Sequence, residues 1–226
     1  MTVRTYGQFC GVARALELVG ERWSMLIIRD LLLGPKRFTD LRTGLPRIPA
    51  SILSSRLNDM ESSGVLRRRV LPQLDAAVVY ELTEYGAELD QILLQLGLWG
   101  ARSLGVPGQQ DVFTLDSAIL SLYTTFRAEA ARNAHVSFEL RYGPMVVHAL
   151  VDGGALKVAE GSYPAADLVI CSQASLVPLL TGEVSADQAL RSGLVAIEGD
   201  PAHLELFTSL FHIPSAPKPS VGLAVH

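Results

Sequence analysis

Three consecutive arginines, Arg67-Arg68-Arg69, follow closely on a segment rich in small hydroxyl side chains. Guanidinium groups bind phosphate oxygens through charge and paired N–H donors. Upstream, Leu53, Leu57 and Met60 recur at i, i+4 and i+7, marking the buried stripe of a helix. Ser51, Ser54, Ser55 and Asn58 then fall on its other faces. Side chains that small let a helix approach base edges in the major groove of B-DNA, within reach of Arg56 and Asn58. The arginine run suits backbone phosphates, where contacts add affinity through counterion release and carry little sequence information. Arg37 and Thr39 open a preceding short helix and are placed to hold a phosphate at its N-terminus, and Arg47 completes the basic set. Residues 34–69 hold 8 basic and 3 acidic side chains. Charge alone does not separate a polyanion site from a solvated basic face.

Other chemistry is harder to find. His135, His148, His203 and His212 have neither metal-ligand spacing nor a Glu partner at helical spacing. No Gly-rich phosphate loop follows a strand, and no serine occupies a nucleophile elbow. These observations point away from an enzyme, and no metal or cofactor is expected. The thiols are Cys10 and Cys171, far apart in a chain without a basic-then-apolar leader. That pattern fits a reducing compartment, and we expect a cytoplasmic protein. No apolar run is long enough to span a bilayer, so no membrane partner is expected.

The elements that carry these residues follow from punctuation and period. Val12, Ala15, Leu16 and Val19 mark a first helix before Gly20. A second runs from Glu21 to about Leu33 with Trp23, Leu26, Ile27 and Leu31 inward, ended by Gly34-Pro35. Phe38 to Arg42 is a short helix. Pro49 sits in the first turn of the polar helix, which reaches Ser63. Val65 to Leu71 and Val78 to Leu82 read as a hairpin with a tip at Pro72 to Ala76. Thr83 caps a long helix whose Tyr85, Leu89, Ile92, Leu96 and Trp99 alternate in steps of four and three, a seam for a partner helix. Leu93, Leu94 and Leu98 widen that surface. We read Leu89, Ile92, Leu93, Leu96 and Trp99 as a dimer contact, with packing inside the chain as the alternative.

The stretch from Cys10 through Trp99 resembles the HxlR family of bacterial winged-helix regulators. The resemblance rests on Gly20-Glu21-Arg22-Trp23-Ser24, Ile28-Arg29-Asp30-Leu31, Gly34-Pro35-Lys36-Arg37-Phe38, Leu53-Ser54-Ser55-Arg56-Leu57, Gly64-Val65-Leu66-Arg67-Arg68 and Tyr80-Glu81-Leu82-Thr83-Glu84-Tyr85-Gly86. It implies a homodimer joined by terminal helices, with two recognition helices on neighbouring half-sites. Two departures stand out. Pro49 replaces the usual Ser or Thr cap of the recognition helix, and the tip Gln73-Leu74-Asp75-Ala76-Ala77 lacks the usual proline and basic character. Asp75 there repels phosphate. Cys10 matches a cysteine that some members use to sense oxidants or electrophiles. Sensing requires a lowered pKa and access, with Arg14 one turn on as a source of charge; otherwise Cys10 is a small buried residue.

Gly105-Val106-Pro107-Gly108-Gln109-Gln110 is the best linker. Residues 1–105 carry 13 basic and 11 acidic side chains, and the remainder 6 and 12. We therefore assign 1–105 to a mainly α winged helix-turn-helix domain, 106–112 to the linker, 113–214 to an α+β domain and 215–226 to a mobile tail. In the α+β domain, Leu115 to Arg132 reads as a helix. Strands are expected at Ser137–Tyr142, Met145–Val151, Ala155–Glu160, Asp167–Cys171 and Val195–Glu198. Short helices follow at Ser175–Leu180 and Ala186–Arg191, and Asp200-Pro201 opens a helix through Phe211. The stretch from about Val136 to Pro214 resembles the sterol-carrier-protein domain. The supporting residues are Val151-Asp152-Gly153-Gly154, Asp167-Leu168-Val169-Ile170, Leu179-Leu180-Thr181-Gly182-Glu183, Ala189-Leu190 and Ile197-Glu198-Gly199-Asp200-Pro201. The resemblance implies a curved sheet and helices around a tunnel for apolar molecules, lined by Leu150, Leu176, Leu179, Leu180, Leu206, Phe207, Leu210 and Phe211. The alternative is that these side chains fill a solid core.

Together these features predict a homodimeric regulator that binds double-stranded DNA and responds to an apolar small molecule. An intracellular lipid carrier whose helical half mediates association is the alternative.

Overall fold

The computed structural model describes residues 5–71 and 77–216. It divides into two compact units, Met1–Leu94 and Gln95–His226. Among the described residues no helix is long and apolar enough to cross a membrane.

The first unit runs α1 (Gly11–Val19), α2 (Ser24–Leu32), β1 (Lys36–Arg37), α3 (Phe38–Gly44), α4 (Ala50–Ser62), β2 (Leu66–Leu71), β3 (Ala77–Leu82), α5 (Glu84–Ala87) and the start of α6 (Leu89–Ala101). The strands form an antiparallel sheet in the order β1-β3-β2. Its core is aliphatic, with Ile27, Ile28, Leu41, Leu53, Leu57 and Met60 almost completely enclosed. The Leu53–Leu57–Met60 stripe of α4 is therefore inward, as its spacing requires. Gly86 follows from close approach: a Cβ there would stand 1.9 Å from the Val65 carbonyl oxygen. Its N–H donates to Thr83 Oγ1 at 3.1 Å, completing the helix cap.

Several local expectations shift. α2 starts at Ser24 instead of Glu21, because Trp23 takes a left-handed backbone conformation with φ of 82° and halts the helix. Ile28 joins Ile27 and Leu31 inside while Leu26 lies at the surface, as do Val12 and Leu16 of α1. The long helix after Thr83 breaks at Glu88 into α5 and α6. In β2 only Leu66 is buried, so the strand is more open than an alternating one.

The second unit begins with the end of α6. The Gly105–Gln110 stretch is exposed, irregular chain. Then come α7 (Leu115–Thr125), β4 (His135–Tyr142), β5 (Met145–Asp152), β6 (Ala155–Glu160), β7 (Leu168–Ser172), α8 (Val177–Leu180), α9 (Ala186–Ser192), β8 (Ala196–Gly199) and α10 (Ala202–Leu210). The sheet order is β6-β5-β4-β7-β8, antiparallel except for the β4–β7 pair. α7 ends at Thr125, short of the expected Arg132, because Phe126 turns extended and bridges to Phe211. Phe138, Phe207 and Phe211 form an aromatic core with centroids 4.7 to 6.0 Å apart.

Candidate nucleic-acid interface

α3 and α4 stand in helix-turn-helix order. Leu45 and Ile48 in their connection are buried and fix the turn against the core. Pro49 is the N-cap of α4 and makes no side-chain capping bond, so the departure from a Ser or Thr cap leaves that contact unmade. Ser51, Ser54, Ser55 and Asn58 are exposed on α4. Arg56 is different. Its guanidinium turns back, donating to Asp59 at 2.9 Å and to Glu21 in the α1–α2 turn at 3.1 Å. The side chain is only 19% exposed.

Arg67, Arg68 and Arg69 are all exposed on β2, and all three are engaged. Arg67 lies directly opposite Glu81 in the hairpin register and its Nε donates to Oε1 at 2.8 Å. Arg69 Nε donates to Glu81 Oε2 at 3.0 Å. Arg68 emerges on the other face, donating to Asn58 Oδ1 at 3.2 Å and to Glu61 Oε2 at 2.5 Å, so it ties the strand to the polar helix. Glu61 and Glu81 are held below the usual carboxylate range, Glu61 by Arg68 and Glu81 by Arg67 and then Arg69. These carboxylates, with Glu21 and Asp59, are the residues that sequence reasoning missed. The Arg67–Glu81 pair was recoverable by folding the hairpin about its tip; the Glu21–Arg56 pair, 35 residues apart, carried no local signal.

Arg37 and Thr39 are exposed at the start of α3, yet that N-terminus already holds a carboxylate. The Arg37 N–H donates to Asp40 at 2.9 Å, and Thr39 Oγ1 contacts the same group at 3.4 Å. Arg47 is exposed in the α3–α4 connection. The tip at residues 72–76, Asp75 included, lies outside the described residues.

Away from this surface, Tyr85, Ile92, Leu96 and Trp99 are exposed along α5 and α6, Leu89 is half-buried, and Leu93 is buried within the chain. Cys10 is exposed and is the N-cap residue of α1. The backbone amides of Ala13 and Val12 lower its thiol pKa. Arg14 instead pairs with Glu17 at 3.2 Å. Of the expected apolar lining, Leu176, Leu179, Leu180, Phe207, Leu210 and Phe211 are buried, while Leu150 and Leu206 are half-buried. A cleft of about 420 Å³ borders Leu179 and is otherwise lined by residues such as Val184, Asp187, Glu205 and His212. Among the described residues no group of three His, Cys, Asp or Glu side chains is placed to hold a metal ion.

The model of the HxlR-like helix-turn-helix family matches residues 18–106. The HTH-type transcriptional regulator YodB of Bacillus subtilis is 38% identical over 85 residues, which are 38% of this chain and 76% of YodB. The uncharacterized HTH-type transcriptional regulator YtcD of the same organism is 34% identical over 110 residues, 49% of this chain and 87% of YtcD. Among solved structures, the redox regulator HypR in its oxidized form is 33% identical with a TM-score of 0.41, covering 43% of this chain and all of HypR. The chain belongs to the HxlR-like helix-turn-helix family of transcriptional regulators.

Proposed function

We propose that this protein is a homodimeric regulator that grips duplex DNA through α4 and β2 and takes an apolar small molecule in its second unit. One observation carries the DNA reading: the exposed serines and Asn58 of α4 adjoin the exposed arginines of β2, joined by Arg68. Helix side chains then read base edges, while the strand neutralises phosphates. Ser51, Ser54, Ser55 and Asn58 serve the first role, joined by Arg56 once its guanidinium exchanges Glu21 and Asp59 for DNA. Arg67, Arg68 and Arg69 serve the second, helped by the exposed side chains of Arg37 and Arg47, with Thr39 contributing a hydroxyl donor only where phosphate displaces Asp40. Family membership lends no support to a lipid carrier.

The test is fluorescence anisotropy with duplex DNA from the region upstream of the protein's own gene. Binding should weaken with salt. Arg68→Ala should weaken it evenly across sequences and reduce the salt slope by about 1, whereas Arg56→Ala should cost about 1–3 kcal/mol and relax discrimination. Salt-independent binding, or none, would overturn the reading.

We also assign Cys10 a sensing role. Its exposure and lowered thiol pKa favour the reactive thiolate, and HypR is described as a redox regulator. Repeating the anisotropy after thiol oxidation decides it: DNA affinity should change in the wild type and not in Cys10→Ser. An equal change in both would exclude Cys10.

A further inference from the structure

Arg56, Arg67, Arg68 and Arg69 of the proposed DNA surface are each engaged by a carboxylate of the same chain. Glu81 is the clearest case, because one carboxylate serves two guanidiniums. Its side chain is 12% exposed, beneath Arg67 at 65% and Arg69 at 48%. Arg67 uses Nε on Oε1, and Arg69 uses Nε and Nη2 on Oε2. On the opposite face, Glu61 takes both Nε and Nη2 of Arg68. Three cations in a row therefore meet two anions, and the strand presents a net charge near +1 instead of +3.

We propose that Glu81 and Glu61 are intramolecular stand-ins for DNA phosphates, which hold down affinity for DNA of arbitrary sequence. The inference rests on the DNA-binding reading above. A carboxylate oxygen and a phosphate oxygen accept the same guanidinium donors, so a phosphate arriving at β2 competes with the carboxylate already there. The guanidinium side of each pair is open to solvent, at 65%, 47% and 48% for Arg67, Arg68 and Arg69, and ion pairs reached by water are weak enough to exchange. Sequence-independent affinity grows with the number of phosphates neutralised. An uncompensated arginine strand would hold the protein on the many competing sites of a genome, whereas a compensated one leaves selection to the helix that reads bases.

The full-length wild type, Glu81→Gln and Glu61→Gln are titrated against a short random-sequence duplex at several salt concentrations. Glutamine keeps the shape and an acceptor oxygen while removing the charge. Each substitution should steepen the plot of log K against log salt by about 0.9, which over about a twentyfold salt range amounts to roughly a 15-fold change in relative affinity. Glu81→Asp, which retains the charge, should keep the wild-type slope. Circular dichroism reports whether each variant is folded. If Glu81→Gln unfolds, Glu61→Gln, at a less enclosed side chain that is 32% exposed, decides the matter through Arg68. Slopes equal to wild type in folded variants would overturn the proposal while leaving DNA binding intact. Failure of the wild type to bind any duplex would instead remove the reading on which the proposal stands.

Discussion

Asp167 shows how much one side chain organises in the second unit. Its Oδ2 accepts from Ser137 Oγ at 2.7 Å and from the Ser137 N–H at 2.8 Å, and its own N–H donates to Ser137 Oγ and to the Ser137 carbonyl oxygen, both at 3.0 Å. This reciprocal clamp joins β4 to the chain entering β7, the one parallel pair in the sheet. The Ser137 hydroxyl, then its amide, hold the carboxyl below its ordinary value of 3.8. Because Asp167 ionises more readily folded than unfolded, its stabilisation is complete at neutral pH. It drains away as pH falls below the ordinary value toward the depressed one. Asp167→Asn should lower stability at neutral pH by about 0.5 kcal/mol, the low end of the hydrogen-bond range because the side chain is screened by solvent, and flatten the loss of Tm from about pH 5 to about pH 3. Calorimetry across that range is the check, and a profile parallel to wild type would rule the clamp out as an acid-sensitive contact.

Helix α6 makes the corresponding case for an element. Ile92, Leu96 and Trp99 recur at steps of four and three and remain exposed, while Leu93 is buried. A face of that kind on a soluble helix costs free energy until something covers it. A second copy of α6 covers it in the proposed dimer, with Leu89 at the margin. Trp99→Glu should weaken self-association by about 2 kcal/mol, roughly 30-fold, seen as monomer in sedimentation with an unchanged circular dichroism spectrum. Leu93→Glu should instead unfold the unit, since a lone carboxylate there has no water and no partner. A wild type that sediments as a monomer would leave the seam without a dimer to explain. Helical period alone places all five residues on a broad apolar surface; packing is what separates Leu93 from its neighbours.

For the whole molecule, regulation requires that a ligand bind the DNA-competent and incompetent states unequally. The second unit offers a five-stranded sheet, an aromatic core around Phe207 and Phe211, and a cleft that reaches Leu179. If an apolar molecule occupies that unit, native mass spectrometry of the protein as purified should show a retained mass. A fatty acid at about 100 times its Kd should then stabilise the fold by about 2.7 kcal/mol. No retained mass and no change in Tm with fatty acids would make the unit a solid structural core.

The sequence by itself determined the order of elements, except for the short β1 and the break between α5 and α6, and the residues that must face inward on α4, because side-chain period and turn chemistry act within one element. It determined the family as well, since the motifs from Gly20 to Gly86 keep their order and spacing. Leu53, Leu57 and Met60 were legible this way, as were the strands of the second unit to within a residue or two. Only the tertiary structure decided that Trp23 turns left-handed, that α7 stops at Thr125 to pair Phe126 with Phe211, and that Asp40 fills the N-terminus of α3. It also decided which carboxylates meet the arginines beyond the Arg67–Glu81 pair, which the hairpin register makes legible. Glu21 reaches Arg56 from 35 residues away, and one carboxylate serves both Arg67 and Arg69. Such pairings depend on distances between elements, which no periodicity along the chain encodes.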